Sequence, residues 1–350
     1  MSATGVLRLW RRAAPDRISA AVLLLGLLLL ALAIPPVMRW ALLDADFAGP
    51  ACEGRGACWP FVAERLPQFL YGYYPAPLRW RLHLGGLALL AWCALFAIPG
   101  FRRRVGPATA VLAAVLALGY ALAAGGVLGL QPVEASLWGG LFVTLLLSFT
   151  AMAVSLPAGI ALALARAARN PVLRGLASAF VESIRGVPLL AILFMAVVLL
   201  PLFLPWQGGI GLFARVVVGL CLYASAYMAE AVRGALNTLP QGQFDAAAAL
   251  GLGYRRAMRL VILPQVLRRA IPNIINIFIQ ILKDTTLVLI VGVYDLLGMV
   301  QLAVSDPKWL GHASEGFAFA GLVFFAICFT ISRVSLRVER LLGAGEGRAA

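Results

Sequence analysis

The chain is divided into apolar runs of roughly the ~20 residues that an α-helix needs to cross hydrocarbon, with arginines in the gaps between them. Runs at 18–37, 84–98, 107–130, 137–165, 188–204, 212–231, 274–294 and 316–332 give eight expected spans. With 62% apolar residues and a mean hydropathy of +0.92, a soluble globule is excluded. The expected fold class is an all-α integral membrane protein. The net charge of +14 does not indicate nucleic acid, because the arginines fall between apolar runs and not in a basic domain. No Gly-Lys pair occurs, so a phosphate-cradling Walker loop is absent. The five cysteines show no metal-ligand spacing, and neither metal nor cofactor is expected.

The first run follows a short basic segment with Arg8, Arg11, Arg12 and Arg17, and Pro35 and Pro36 close it. A cleaved signal peptide is the rival reading, but the run is long and lacks a small-x-small cleavage site, so it counts as a span. Residues 39–82 form an expected polar loop whose Trp59, Tyr71, Tyr73, Tyr74 and Trp80 suit a membrane interface. In an oxidising compartment its Cys52 and Cys58 could pair; two free thiols is the alternative. Pro157 and Gly159 are placed to bend the fourth span. Cys93, Cys221 and Cys328 read as small apolar fillers of their helices, and His83 and His312 as loop residues without a role.

Charge fixes the expected orientation. With the N-terminus inside, the inner segments hold 21 of the 29 Lys and Arg, the outer ones seven, and Lys283 lies in a span. The positive-inside rule then places both termini in the cytoplasm. It also places there the polar stretch within 224–272, which carries Arg233, Arg255, Arg256, Arg259, Arg268 and Arg269 between two apolar runs. Thr238 and Gln241 have capping-box spacing, so a short helix is expected to open there. It runs through Asp245 to Leu250 and meets Gly251 and Gly253, a natural C-cap and turn. A second helix is expected over 254–263, with Pro264 ending or kinking it. The product is a helix-turn-helix on the membrane surface with an Ala-lined first helix open to a partner.

Asp245-Ala246-Ala247, Gly251, Val261, Leu263 and Pro264 resemble the coupling loop of importer-type ABC transporter permeases. That family's pattern is Glu-Ala-Ala, three residues, Gly, nine residues, Ile-x-Leu-Pro. Every spacing matches, with Asp for Glu and Val for Ile. Three further segments narrow the resemblance: ESIRGVPLL over 182–190, AYMAEAVRGALNTLPQGQFDAAAALGL over 226–252, and LKDTTLV over 282–288. Together they are similar to permeases of polar amino-acid uptake systems, serving histidine, glutamate, glutamine, arginine and opines. The match covers about 137–337. The length and layout of the N-terminal part resemble the larger permease of the general L-amino-acid type.

The resemblance implies a division at about residue 130. Residues 1–130 form an extension with three spans, 131–340 a five-span permease core with a coupling loop at about 237–272, and 341–350 a tail. It also implies partners: a second permease subunit, a paralogue; two cytoplasmic ATP-binding subunits, where ATP is hydrolysed; and a periplasmic amino-acid-binding protein. The chain itself is then no enzyme, and its place is the bacterial inner membrane, in contact with lipid.

Asn276, Gln280, Lys283 and Asp284 lie broadly on one face of the seventh run, joined by Thr285 and Thr286. A charge at mid-membrane costs roughly 2.5–3.5 kcal/mol on insertion scales, so these residues face protein or a watery cavity. One reading is a lining for zwitterionic cargo, with Lys283 near a carboxylate and Asp284 near an ammonium. The other is a structural pair, or a span interrupted near Lys283. Glu182 and Arg185, before the fifth run, are an inner-surface anchor or part of the path. Glu230 and Arg233 orient the hairpin. The alternative function, a self-contained secondary transporter, also needs intramembrane charge and bent helices, but the halves show no inverted repeat and the hairpin stays unexplained. A membrane enzyme would need a His, Asp, Glu or Cys cluster at one face, and two distant histidines do not supply it.

Overall fold

A computed structural model describes residues 16–49, 52, 56–97, 105–127, 129–203 and 211–341. The basic segment with Arg8, Arg11 and Arg12, the cluster Arg102, Arg103 and Arg104, Ile98, Leu204 and the tail lie outside these. The described residues form helices with no strand beyond isolated bridges. Among the described residues, six helices are long and apolar enough to cross a membrane, and one further pair passes that test as a bent unit. Hydropathy expects eight spans, the second of which ends outside the described residues.

Residues cluster into two compact units, 1–65 with 304–319, and 66–303 with 320–350. In the first, α1 (Arg17–Met38) is capped by Asp16, whose carboxylate accepts the Ser19 N–H at 2.7 Å. Pro35 and Pro36 do not end this helix. It continues into a π-helical turn at Arg39–Leu43. Cys52 and Cys58 form a disulfide. The segment expected to be a polar loop holds α2 (Trp59–Tyr71). Phe61 packs against Trp309 at 5.3 Å between ring centroids, Lys308 pairs with Glu64 at 2.6 Å, and Arg65 pairs with Asp306.

The second unit holds α3 (Trp80–Ala97), α4 (Val105–Ala124), α5 (Gly140–Arg166), α6 (Pro171–Gly186), α7 (Leu189–Val198) and α8 (Leu212–Asn237). It continues with α9 (Gln241–Ala249), α10 (Leu263–Asp284), α11 (Leu296–Val304) and most of α12 (Ala313–Leu341). His83 belongs to α3, not to a loop, and its Nε2 lies 3.0 Å from the Tyr71 hydroxyl. Cys93 is exposed, so it faces outward and fills nothing. Helix α4 stops at Gly125 and Gly126, both left-handed, six residues before the expected end.

Helix α5 packs along α8 at a separation that glycine sets. A Cβ on Gly159 would sit 2.6 Å from Met228 Cβ and 2.9 Å from the Ala229 nitrogen. Read from sequence as a bending residue, Gly159 is instead the point of closest helix contact. Helix α6 occupies a stretch that hydropathy leaves as a loop. Its Asn170 Oδ1 accepts the Val172 and Leu173 N–H groups at 2.9 and 3.3 Å, and Pro171 follows as the first helical residue. It ends where Pro188 forces Val187 into extended backbone, and α6 and α7 meet at 108°. The fifth run therefore begins at a sharp corner.

Asp295, outside the spanning helices and fully buried, caps α11. Its Oδ1 accepts the Gly298 N–H at 2.9 Å, and Thr144 Oγ1 accepts the Leu296 N–H at 3.1 Å. Oδ2 has no partner among the described residues. Burial pushes this carboxyl up to about 6, against the lowering effect of the backbone N–H groups. A raised acid pKa means the folded state holds its proton better than the unfolded chain does. Stability should therefore rise as pH falls from about 6 toward 4, by at most roughly 3 kcal/mol for a shift of about two units. Asp295→Asn keeps the cap acceptor and removes the charge. Thermal unfolding in detergent should show the variant flat across that range and melting above wild type at pH 8; a wild type without the rise would contradict the assignment.

Candidate functional site

The polar stretch after α8 folds as a closed hairpin. Thr238 ends α8 instead of opening the next helix: its hydroxyl donates to the Ala235 carbonyl at 2.9 Å, so the expected capping box does not form. Pro240 stands at the N-cap of α9 without a side-chain hydrogen bond, and its fixed φ suits the entry. At the far end Gly251 has φ +70°. Its N–H donates to Ala248 O at 2.9 Å, and the Leu252 N–H donates to Ala247 O at 3.1 Å. These paired bonds are a Schellman closure, which satisfies two orphan carbonyls of α9.

The second helix does not stop at Pro264. A turn at Tyr254–Ala257 leads through a π-helical segment, Met258–Ile262, into α10, and then into a 3-10 segment, Thr285–Val291. One helical rod of 38 residues, Tyr254–Val291, joins the hairpin to the seventh run. The π-turn lies immediately before Pro264 and takes up the carbonyl that a proline ring would otherwise strike. Gln265 Nε2 donates to Gln243 Oε1 at 3.0 Å, and Arg269 donates to Thr238 O at 2.6 Å, fastening α9 and the end of α8 to this rod.

The six coupling-loop residues separate by orientation. Asp245 and Ala246 are exposed, as are Gly251 and Pro264, whereas Leu263 is half-buried and Ala247 is buried in the packing beneath. That packing includes Met228, Val232, Leu239, Ile262 and Val266. Leu250 is 77% exposed and Tyr254 55% exposed, beside exposed Arg255, Arg256 and Arg259. The hairpin thus turns one firm face inward and offers an apolar tip with a carboxylate and guanidinium groups outward.

Glu230, in α8, is the shared acceptor of three guanidinium groups. Arg166 from the end of α5 reaches it at 2.9 Å, Arg185 from the end of α6 at 3.2 Å, and Arg233 one turn further on completes the set. Arg166 also reaches Glu182 at 3.1 Å and Ser178 Oγ at 3.3 Å. Sequence reading gave Glu182 and Arg185 alternative roles and gave Arg166 none; nothing in the sequence signals that three helix ends converge on one carboxylate.

Beside this network lies a cavity of about 280 Å³ lined by Arg185, Tyr227, Glu230, Asn273, Asn276 and Gln280 among others. Asn276 and Gln280 therefore share a hollow. Gln280 donates to the Tyr223 hydroxyl at 3.2 Å and also hydrogen-bonds the half-buried Asp284. Lys283 is exposed and lies within electrostatic reach of both its neighbour Asp284 and Cys328. Thr285 is buried with its hydroxyl on the Leu282 carbonyl at 2.9 Å. The α-helix ends at Asp284, and the rod continues directly as a 3-10 helix. Among the described residues no group of three or more His, Cys, Asp or Glu could hold a metal ion.

The model of the binding-protein-dependent transport system inner membrane component family matches residues 155–342, more than half of the chain. The chain belongs to that family. It is 44% identical over 317 residues to the inner membrane amino-acid ABC transporter permease protein YhdY of Escherichia coli (strain K12), covering 89% of this chain and 86% of that protein. It is 37% identical to the glutamate/glutamine/aspartate/asparagine transport system permease protein BztC of Rhodobacter capsulatus, over 85% of this chain and 81% of the relative. A solved amino acid ABC transporter with histidines has a chain that aligns with TM-score 0.52 and 30% identity, over 57% of this chain and 91% of its own.

Glu230→Gln leaves three guanidinium groups without their carboxylate, whereas Glu182→Gln removes only an acceptor that is 66% exposed. Losing one partner from a partly buried ionic network costs about 2–4 kcal/mol, and an exposed pair contributes ~0–1. Size-exclusion monitored melting in detergent should show Glu230→Gln several degrees below wild type and Glu182→Gln close to it. Equal melting of the two variants would deny Glu230 its central place.

Proposed function

We propose that this chain is the permease subunit of an ATP-driven ABC importer that carries polar or general L-amino acids across the bacterial inner membrane. The observation that carries the proposal is the hairpin: a Schellman-closed helix with an exposed Asp-Ala face and Leu250 tip, continuous with a spanning rod that carries polar side chains. The names of YhdY and BztC supply the amino-acid class and support the reading. A secondary transporter needs no such tip, and nothing among the relatives supports one.

The partners that complete this reading are a second permease subunit, two cytoplasmic ATP-binding subunits and a periplasmic amino-acid-binding protein. The tip, with Asp245, Ala246 and Gly251, docks an ATP-binding subunit. Asn276, Gln280, Lys283, Asp284 and Thr285 mark the path, Lys283 toward the cargo carboxylate and Asp284 toward its ammonium. A core at 131–340 with an N-terminal extension at 1–130 is supported by the glutamine permease GlnP of Bacillus subtilis (strain 168), named as probable, which spans 59% of this chain but 93% of its own length at 33% identity.

The docking role is tested at Gly251. A Cβ there meets nothing within 4 Å, so a substitution acts through backbone conformation alone. A β-branched residue at φ +70° is strained by about 1–3 kcal/mol, while Asn adopts that conformation readily. Gly251→Val should accumulate normally, lose the ATP-binding subunit in co-purification from mild detergent, and lose ATP-driven uptake. Gly251→Asn should retain both. Full retention by Gly251→Val would sink the docking assignment.

Orientation is tested at the disulfide. With both termini cytoplasmic, Cys52 and Cys58 face the periplasm. An impermeant maleimide should then label them in intact cells only after reduction; labelling that requires a breached inner membrane would invert the topology.

A further inference from the structure

Of the three guanidinium groups on Glu230, Arg185 is set apart by position. It lines the cavity of about 280 Å³, whereas Arg166 and Arg233 do not. Its side chain is 38% exposed, close to the 37% of Arg233 and well above the 10% of Arg166. It also lies over the Tyr227 ring, 5.6 Å from the centroid, a contact that holds a guanidinium without any carboxylate. The network counts three guanidinium groups against two carboxylates, Glu182 and Glu230, so one positive charge is uncompensated among its members.

These facts permit an exchange. If a ligand carboxylate takes the Arg185 fork, Glu230 keeps Arg166 at 2.9 Å and Arg233, so no buried anion is orphaned. A guanidinium binds carboxylates in bidentate fashion, which gives the incoming group a defined orientation. The opposite wall offers the amides of Asn273, Asn276 and Gln280. The edge of Glu230 released by Arg185 can accept an ammonium. Carboxylate and ammonium acceptors therefore adjoin across one small hollow. Its volume lies at the lower edge of the roughly 300–1,000 Å³ usual for small-molecule sites, which suits a single amino acid and not a peptide.

We propose that Arg185 and Glu230 form a zwitterion subsite at the end of the path nearest the hairpin, where the α-carboxylate of an amino acid displaces Glu230 from Arg185. The proposal rests on the reading of the chain as an amino-acid permease. It adds a station distinct from the Lys283–Asp284 region, and one that recognises the backbone common to all α-amino acids, not a side chain.

The test uses the complex as purified with its co-purifying subunits in lipid nanodiscs, free of nucleotide and of binding protein. Titration calorimetry with L-glutamine as probe should show saturable binding, and 4-aminobutanamide, which keeps the side-chain amide and amine but lacks the carboxylate, should not bind. Arg185→Gln should weaken L-glutamine binding at least about tenfold, and Arg185→Lys by less. Arg233→Gln, which removes a Glu230 partner outside the cavity, should stay within about twofold of wild type. Asn276→Leu, which fills the hollow without touching the ionic network, should also abolish binding and covers the case in which Arg185→Gln fails to accumulate. No binding to wild type, equal binding of 4-aminobutanamide, or an Arg233→Gln loss as large as that of Arg185→Gln would each overturn the subsite. If those failures accompany intact ATP-driven amino-acid uptake by the same complex in proteoliposomes supplied with ATP and a binding protein, the import reading stands. If wild type takes up no amino acid with ATP, that reading falls and the subsite falls with it.

Discussion

The continuity of one helix governs how this molecule can work. A proline at 264 would ordinarily stop or sharply kink a helix, and here the π-turn at Met258–Ile262 absorbs it. The resulting rod of 38 residues would be on the order of 55 Å long at α-helical rise, against roughly 30 Å of hydrocarbon. Much of it must therefore tilt or stand clear of the lipid core. Its arginine-rich start is the part that hydropathy excludes from lipid, and that part carries the hairpin tip. The two amide and guanidinium bonds from Gln265 and Arg269 leave α9 little freedom to move apart from the rod. A push on Leu250 or Asp245 is thus a push on the helix that bears Asn276 and Gln280.

Charge inside the bundle follows a different constraint. Burying an ion without a partner is costly enough that such groups normally pair or neutralise. Glu230 meets that constraint by collecting guanidinium groups from the ends of α5 and α6 and from its own helix, and so it pins three helices with one carboxylate. Over-supply of cations has a chemical consequence that a one-to-one salt bridge lacks. One arginine can leave without stranding the acid, which is why the same cluster can be both a structural tie and a binding surface. Arg185 is the member free to leave because it stands at the corner between α6 and α7, on the wall of the hollow.

Much of this architecture was legible in the sequence, and what was missed has identifiable physical reasons. Apolar runs revealed most spans because lipid leaves a helix few alternatives, and the left-handed Gly251 was readable because glycine takes φ +70° without strain. Helix boundaries were less visible. Proline was read as a terminator at positions 36 and 264, yet α1 runs on past Pro36 and a π-turn carries the rod past Pro264, and no local residue pattern announces a π-turn. Helix α6 was overlooked because its amphipathic face is too short for a hydropathy window, although Asn170-Pro171 is an N-terminal signature that capping rules recognise. Gly159 was given a bend because a nearby proline suggested one; its contact with Met228 is a fact of tertiary packing. The Glu230 network was invisible for the same reason, since Arg166 and Glu230 lie 64 positions apart.

The polar row on α10 shows how a helix can mix cargo chemistry with spanning. Asn276, Gln280 and Asp284 recur every four residues and so climb one side of the rod, with Gln280 bonded to both Tyr223 and Asp284. Adjacent Lys283 points elsewhere because neighbouring positions on an α-helix differ by about 100°. After Asp284 the helix tightens to 3-10 geometry, where Thr285 and Thr286 return their hydroxyls to the carbonyls of Leu282 and Lys283. Those bonds satisfy acceptors that a change of helix type would leave unpaired, so the interruption is sealed without water. On the path proposed above, a small zwitterion passes from Asp284 to the amides of Gln280 and Asn276, and from these to Arg185 and Glu230. Each step exchanges one polar partner for another, and at none is the solute left against an unbroken apolar wall.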